Sequence, residues 1–390
     1  MRYSGAAAPI AFTEMVLGQT KRGKPVAAVV AVAAMLVAAG VGCGAGGGET
    51  SDDTGGAGGE RAASTNGGGD AAASTNSVGA RAGEAGGSRA GGANTAWRRA
   101  PIVPRFTPRS GKGLARAVAR SVRTGMRGGV FAKVGDSNSD YPGQFFGLGC
   151  RPAELGPHRY LAPTLRRYRS VRLGNLSTYP GCRPPNSFSR DSAAAESNAT
   201  SEWTITPTEG IGPRFLALAP TECPGRLTPV QCEIELIKPR YITVMIGSGD
   251  ALFGDPLGKA YAENLRTLIG QIRARGPVPI LSTLPPMTAP VDGIPGRIAS
   301  INRTIHVVAR RLRVPMINLW RTLNQPRMIN KGHSLDGIHI SVYGGDHSPR
   351  VLTNAANLTP EATRYGANRR HVVWLQTLRR LDRVARSPKG

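Results

Sequence analysis

Four short apolar runs, rich in β-branched residues and separated by long intervening stretches, constrain this chain more than any other feature. They are "VFAKV" (130–134), "RYITVMIGSGD" (240–250), "PVPILSTLPP" (277–286) and "VPMINLW" (314–320). Mostly apolar runs of this length, the first of which carries one lysine, predict strands that are buried on both faces. Because helical patterns lie between the runs, the chain predicts an α/β domain with a mostly parallel sheet and right-handed crossovers.

The helical stretches place their apolar residues on one face. They are 113–126, 159–168, 257–276, 298–313 and 359–384, the last beginning at a threonine cap, while 187–203 predicts a loop that leads into a helix. In a parallel sheet the reactive groups gather beyond the carboxyl ends of the strands. Ser137, "GSGD" (247–250) and "SLDGIHIS" (334–341) all fall at such places.

Residues 1–43 predict a segment that exports the protein. Positive charge at 20–25 precedes an apolar run, 26–42, that ends at Cys43. Small residues before a lone cysteine, with glycines after it, resemble a bacterial lipoprotein signal in which Cys43 is lipidated. The alternative is an uncleaved membrane anchor, because the run is close to spanning length. Both interpretations predict an extracytoplasmic protein held at a membrane.

Residues 44–100 predict a disordered linker. They consist mostly of Gly, Ala, Ser, Thr and Asn, and "AASTN" occurs at both 62–66 and 72–76. Such a composition cannot bury enough apolar surface to offset the entropy lost on ordering. The remaining residues, 101–390, fit one large α/β domain.

The cysteines support export. Apart from Cys43 there are four, an even number that suits an oxidising compartment. Three pairings are possible, and the short spacing in "CPGRLTPVQC" favours Cys223–Cys232, which leaves Cys150–Cys182. A metal site is disfavoured because no Cys-x-x-Cys pair and no histidine at ligand spacing accompanies the cysteines.

The formal charge of +25 comes mainly from arginine and is spread along the chain. Charge alone suggests nucleic acid, but the export signal contradicts a specific nucleic-acid partner. Two interpretations remain. The exported domain contacts an anionic surface, such as lipid phosphate or acidic polysaccharide, or the arginines reflect a compositional bias without a specific partner.

Ser137, in "VFAKVGDSNSD" (130–140), is either a turn residue or a nucleophile at the end of a strand. A nucleophilic serine needs a base, and the base needs an orienting group. Of the six histidines, only His339 has an acid at short spacing in a predicted loop, Asp336 in "DGIH". This set favours the nucleophile. There is no P-loop and no His-Glu-x-x-His motif, so the sequence predicts neither a cofactor nor a metal.

These motifs resemble the SGNH (GDSL-type) hydrolases over most of 128–384. The four matching segments are "GDS" (135–137), "RDSAAAES" (190–197), "MIGSGD" (245–250) and "DGIH" (336–339), taken as the first, second, third and last motifs. The resemblance implies a flavodoxin-like three-layer sandwich with a central, mostly parallel sheet. It implies hydrolysis of lipid esters or O-acylated carbohydrate without a cofactor, and we expect a monomer.

The resemblance also assigns the catalytic roles. Ser137 attacks, His339 transfers the proton and Asp336 orients His339, while Ser137, Ala195 and Gly249 fall at the oxyanion hole. The family's third motif carries an asparagine where this chain has Gly249. Loss of one such donor typically costs about 100- to 1,000-fold in turnover. We therefore expect a slow esterase, and the alternative is a surface module that binds acidic glycan or lipid.

Overall fold

Four parallel strands form the central sheet, side by side in the order in which they occur in the chain. The structure, a computed structural model, describes residues 95–253 and 259–386. The strands are β1 (Arg127–Gly135), β2 (Pro239–Met245), β3 (Val278–Ser282) and β4 (Met316–Ile317). Each lies within or overlaps one of the apolar runs singled out in the sequence, so the predicted α/β fold with a parallel sheet is confirmed.

Helices precede, connect and follow the strands. They are α1 (Pro108–Arg123), α2 (Ser137–Asp140), α3 (Phe146–Cys150), α4 (Ala162–Ser170), α5 (Ser201–Ile205), α6 (Pro229–Ile237), α7 (Ser248–Phe253), α8 (Lys259–Arg275), α9 (Ile294–Leu312), α10 (Leu319–Leu323), α11 (Val351–Ala355) and α12 (Gly366–Arg386). Short 3-10 turns occupy Gly156–Leu161, Thr208–Gly210, Ile329–Gly332 and Ala362–Arg364.

The helices form a layer on each face of the sheet. The crossovers after β2 and β3 place α8 and α9 on one face together with α6, and α1, α4 and α12 pack on the other. Phe131 of β1 reaches the second layer, where its ring lies 5.7 Å from the ring of Tyr168 and 5.2 Å from that of Trp374. Alternate residues of β1 face the first layer, as the twofold period of a strand requires.

A loop covers the outer edge of β1 in place of a fifth strand. Gly135 donates its N–H to the carbonyl of Ala194 (3.1 Å), and the N–H of Phe131 donates to Oγ of Ser187 (2.9 Å). This segment comes second in the chain and lies next to β1, at the place that the second strand occupies in the flavodoxin-like order 2-1-3-4-5. The three-layer fold expected from the resemblance is confirmed.

The domain's contacts reach back into the segment predicted as linker. Residues 95–99 are helical, and Trp97 is only 2% exposed. Its ring lies 4.9 Å from that of Trp320, and its carbonyl accepts from Nδ2 of Asn318 (2.7 Å). A large apolar side chain is thus buried within the last residues of the segment predicted as linker, 44–100.

The predicted export segment 1–43 with Cys43, and linker residues 44–94, lie outside the described residues. The contacts of residues 91–390 close into one compact unit with its own core. In the part of the chain that the structure describes, no helix is both long and apolar enough to cross a membrane.

Both predicted disulfides are present. Cys150–Cys182 joins the end of α3 to the loop before the second motif, and Cys223–Cys232 joins a loop to α6. Several predicted elements differ in extent from the structure, and the run at 240–250 is a strand only as far as Met245, with α7 beginning at Ser248. The helix predicted from Thr359 begins at Gly366, and the run at 314–320 is a two-residue strand followed directly by α10.

Candidate active site

The first and third motifs meet at Asp136. This residue caps α2, and its Oδ1 accepts from the N–H of Asn138 (3.0 Å) while its Oδ2 accepts from the N–H of Ser248 (3.1 Å). Burial raises the pKa of the Asp136 carboxyl, against the lowering effect of these hydrogen bonds. Ser137 is the first residue of α2 and is half-buried at the carboxyl edge of the sheet. The capping carboxylate therefore fixes the backbone on which Ser137 stands.

The last motif forms a compact acid–base pair. Nδ1 of His339 and Oδ2 of Asp336 lie 2.5 Å apart. Oδ1 of Asp336 accepts from the N–H groups of Ile338 (2.9 Å) and His339 (3.0 Å). Burial raises the pKa of Asp336, but its bond to His339, the charge of that ring and the two backbone bonds together hold it below its usual value. The ionised carboxylate fixes the ring proton on Nδ1 and leaves Nε2 as the basic nitrogen.

Asn138 joins the serine turn to the histidine loop. Its Nδ2 donates to the carbonyl of Ile338 (3.2 Å), and its Oδ1 accepts from the N–H of Ile340 (2.9 Å). The two bonded residues flank His339, and Asn138 itself follows Ser137 and is completely buried. The structure thereby brings the three predicted triad residues to one edge of the sheet. One N–H and the oxygen of the Asn138 amide are committed to this link.

Arg370 of α12 forms hydrogen bonds with the turn that follows Ser137. Its Nη1 donates to the carbonyl of Asn138 and to Oε1 of Gln144 (2.9 Å). Burial lowers the pKa of Arg370 to about 9, and the charge of Asp136 opposes this effect. The sequence analysis missed this residue. One pattern could have indicated it: Arg370 is four residues before Trp374, so the two share the buried face of α12.

Tyr141 stacks on the imidazole of His339. The ring centroids are 5.0 Å apart, and the planes differ by 22°. Tyr141 follows α2 directly, and its N–H donates to the carbonyl of Ser137 (2.8 Å). Burial raises the pKa of Tyr141, and the charges of Asp346 and Asp336 raise it further, so the phenol stays neutral. The Tyr141 ring therefore limits rotation of the His339 imidazole.

Ala195, predicted at the oxyanion hole, lies beside the end of β1. It forms a parallel bridge with Gly135, but its own N–H donates to the carbonyl of Ser192 (3.2 Å). The structure therefore brings the second motif next to the serine turn and directs this particular N–H into a local turn. The assignment of Ala195 as an oxyanion donor stays a prediction.

A buried ion pair anchors the second motif. Nη2 of Arg190 lies 3.1 Å from Oε2 of Glu233, and each side chain is 1% exposed. The same carboxylate oxygen accepts from the N–H of Ala193 (2.9 Å), and Nζ of Lys133 donates to the carbonyl of Arg190 (2.6 Å). The sequence analysis missed this cluster, whose members come from three separate parts of the chain.

At Gly249, predicted to occupy the position of the family's asparagine, the structure leaves no room for a side chain. A Cβ on Gly249 would lie 2.4 Å from the carbonyl oxygen of Ala199 and 3.1 Å from that of Asn198. The backbone of these two residues fills the space through which an asparagine side chain would leave. The glycine is therefore required by the close approach of this loop.

A groove of about 220 Å³ opens beside the third motif. Asn198, Arg214, Phe253 and Tyr261 are among its lining residues, together with Asp250. Burial raises the pKa of Asp250 to about 6, against the hydrogen bonds it accepts from Ser201. None of the three triad residues lines this groove. Within the described ranges, no group of three or more His, Cys, Asp or Glu side chains is arranged to hold a metal ion.

Comparison with known proteins gives one family match. Residues 189–346 match the model of the GDSL-like Lipase/Acylhydrolase family, a range that includes the second, third and last motifs and leaves out "GDS" (135–137). No curated protein sequence matches the chain.

The chain is also similar to several solved structures. A GDSL-like lipase from Bacteroides thetaiotaomicron is 16% identical, over 42% of this chain and 70% of that one, with a TM-score of 0.29. A catalytic mutant of an acetylxylan esterase from Geobacillus stearothermophilus is 16% identical, over 58% and 90%, with a TM-score of 0.33. A lipase/acylhydrolase from Enterococcus faecalis is 18% identical, over 54% and 86%, with a TM-score of 0.32.

The family match confirms the resemblance on which the site assignment was based. Residues 189–346 thus resemble the GDSL-like lipase/acylhydrolase family.

Proposed function

We propose that the protein is an exported serine esterase that hydrolyses a lipid ester or an O-acylated carbohydrate through an acyl-enzyme on Ser137. The observation that carries this proposal is the link made by Asn138 between the turn bearing Ser137 and the loop bearing His339. A two-point hydrogen bond between these segments, beside a 2.5 Å contact between His339 and Asp336, is the arrangement that a nucleophile, base and orienting acid need.

In the proposed reaction, Oγ of Ser137 attacks the ester carbonyl carbon while Nε2 of His339 takes the hydroxyl proton. The tetrahedral intermediate collapses, the carbon–oxygen bond to the alcohol breaks, and His339 gives its proton to the departing oxygen. Water then attacks the acyl-enzyme with His339 again as base, which releases the acid and restores Ser137. Asp336 stays ionised throughout and stabilises the imidazolium.

The oxyanion hole of the proposed enzyme has fewer hydrogen-bond donors than the family's motifs supply. Backbone N–H groups at Ser137 and in the region of Ala195 are the predicted donors. At Gly249 the side-chain donor is missing, and loss of one donor costs about 100- to 1,000-fold in turnover. We therefore expect measurable but slow hydrolysis of activated esters.

The test is hydrolysis of a soluble short-chain p-nitrophenyl ester by the wild type, Ser137→Ala and His339→Gln. His347→Gln is the matched control, because His347 is an exposed histidine in the same part of the chain. The proposal requires that the first two variants lose activity and that the control keeps it. A fluorophosphonate probe should add its mass to the wild type and not to Ser137→Ala. Equal hydrolysis by the wild type and Ser137→Ala would refute it.

The proposed location is outside the cytoplasm, at a membrane. Residues 1–43 would provide the signal, with Cys43 lipidated, and a linker would separate it from the catalytic domain. Growth with a labelled fatty acid distinguishes the two N-terminal hypotheses. A lipoprotein incorporates label that is lost in Cys43→Ala, whereas an uncleaved anchor retains residues 26–42 and incorporates none.

A second candidate is a non-catalytic module that binds acidic glycan or lipid. The observation that favours it is the backbone of Asn198 and Ala199 in the space of the missing asparagine side chain. A binding module keeps its affinity for the ligand in Ser137→Ala and hydrolyses no ester in either form.

A further inference from the structure

The helix that precedes the sheet carries a straight stripe of cations. The stripe, called here the α1 stripe, consists of Arg109, Lys112, Arg116, Arg120 and Arg123, all exposed. At 100° per residue these positions fall within a sector of about 80°, and at 1.5 Å per residue they extend over about 21 Å. Leu114 and Val118 lie on the opposite side of the helix and are buried.

No acidic side chain compensates the α1 stripe. The sequence from Thr95 to Gly135 contains neither Asp nor Glu. Among the described residues, the ion pairs include none of the five cations. Arg120 donates to the backbone carbonyl of Arg273, which leaves its positive charge unneutralised.

The fold does not need this arrangement. The buried residues Leu114 and Val118 hold α1 on the sheet, and Thr107 and Ser110 form a reciprocal capping box at its start. Like charges at three- and four-residue spacing repel along a helix and destabilise it slightly. A stripe that costs stability and holds nothing within the domain is best explained by an anionic partner.

We propose that the α1 stripe binds the phosphate headgroups of anionic phospholipids. The chain reaches α1 directly from its N-terminal part, and the predicted anchor, 26–42 with Cys43, precedes it. A linker of this composition and length has a mean span of about 40 Å, which keeps α1 within reach of the surface. Arginine pairs with phosphate through two parallel hydrogen bonds.

An apolar neighbour favours lipid over other polyanions. Val122, 54% exposed, lies at the same end of α1 as Arg123, about 100° from it around the helix axis. Exposed apolar side chains beside cations suit the boundary between headgroups and acyl chains, whereas a nucleic acid or a polysaccharide offers no such layer. The inference depends on the predicted anchor and is independent of ester hydrolysis.

The test uses residues 91–390, whose contacts close within themselves, so that the N-terminal apolar run does not dominate binding. Vesicles of phosphatidylcholine alone are compared with an equimolar mixture of phosphatidylcholine and phosphatidylglycerol. The stripe variant is Arg109→Gln, Lys112→Gln, Arg116→Gln and Arg123→Gln together. The charge-matched control is Arg266→Gln, Arg303→Gln, Arg310→Gln and Arg311→Gln, exposed positions on α8 and α9 across the sheet.

We expect the wild type and the control to sediment with the anionic vesicles and not with the neutral ones. One cation at such a surface contributes about fivefold in affinity, so the stripe variant, which lacks four, should lose about 600-fold. All binding should weaken as salt is added. Circular dichroism and hydrolysis of a soluble ester, both unchanged in the stripe variant, would exclude misfolding.

Two results would overturn the inference. Equal loss in the stripe variant and the control would mean that net charge, rather than this helix, determines binding. Tighter binding to duplex DNA than to the vesicles at equal phosphate concentration would assign the α1 stripe to a nucleic acid.

Discussion

Asn138 and Ile340 are 202 positions apart in the chain, yet the N–H of Ile340 donates to Oδ1 of Asn138 across 2.9 Å. This bond, with its companion from Nδ2 to the carbonyl of Ile338, ties the turn of Ser137, the proposed nucleophile, to the loop of His339, the proposed base. The relative position of Ser137 and His339 therefore depends on a side chain that takes no part in proton transfer.

Asn138→Ala should lower kcat on a soluble ester by about 100-fold and change KM little, because a misplacement of about 1 Å costs this much in rate. Ser137, His339 and Asp336 all remain but lose their common support. Asn138→Asp keeps the acceptor for Ile340 and loses the donor to Ile338, so its kcat should be intermediate. Steady-state kinetics of the three proteins measures both parameters.

Asn302→Ala is the matched control. Asn302 is also completely buried, and its amide bonds both the N–H (2.7 Å) and the carbonyl (3.2 Å) of Leu284. It should lose stability comparable to that of Asn138→Ala and keep its kcat. If both variants lose kcat equally, the effect is one of general stability and Asn138 has no positioning role.

Gly249→Asn should not repair the oxyanion hole. Its Cβ would lie 2.4 Å from the carbonyl oxygen of Ala199, so the loop must move, at a cost of about 1–3 kcal/mol in the free energy of unfolding. Thermal melts and ester hydrolysis test this directly. Gly270→Ala, at a helix position where a Cβ meets nothing within 4 Å, should instead be neutral or stabilising. A Gly249→Asn protein with unchanged stability and higher turnover would contradict the prediction.

Glu233→Ala should lower the free energy of unfolding by about 1–3 kcal/mol, because it removes one of the two carboxylates, Glu222 and Glu233, that pair with buried Arg190. The N–H of Ala193 loses its acceptor in the same step, so activity should fall with the position of the second motif. Urea denaturation measures the first effect. Glu202→Gln is the control, since its pair with Arg214 is exposed and should be worth less than about 1 kcal/mol. Equal effects would contradict the assigned role of burial.

His371 should make the protein less stable in acid. Burial lowers its pKa to about 3, from a usual value of 6.5, against the bond to the carbonyl of Ala355. The unfolded chain therefore takes up the proton first. The contribution of His371 is complete above about pH 6.5 and is lost as the pH falls toward about 3, at about 1.4 kcal/mol per pH unit.

His371→Gln should accordingly flatten the dependence of unfolding free energy on pH in this window. Buried Asp250, with a pKa of about 6, has the opposite slope between about 4 and 6 and contributes equally to both proteins. Urea denaturation at several pH values compares the two slopes. Parallel slopes would show that His371 is protonated without penalty.

The elements that the sequence predicted best are those set by local pattern. The strand residues 130–134 are buried, and a mostly apolar run predicts this without any information about the strands beside it. The location of Ser137, Asp336 and His339 could be predicted for a related reason, because the carboxyl ends of parallel strands lie at the same edge of the sheet. The start of α12 was wrong because the cap signal at Thr359 belongs to a 3-10 turn, and the helix begins after Tyr365.

The parts that were missed depend on contacts between distant segments. Asn138 bonds residues 200 and 202 positions away, and Arg190 meets Glu233 across 43 positions, so no window of sequence contains either pair. α6 is a different case. Thr228 caps it, Pro229 is its first residue and Gln231 completes a capping box. This local signal, between Cys223 and Cys232, was not used in the prediction.

The loop that covers the outer edge of β1 has a consequence for solubility as well as for shape. An uncovered edge strand offers its N–H and carbonyl groups to any passing chain and is a template for aggregation. The segment ending at Ala195 blocks that edge, and a buried ion pair keeps it in place. If the loop opened to admit a bulky substrate, it would expose the hydrogen-bonding edge of β1. Variation in what the domain accepts must therefore come from its other loops.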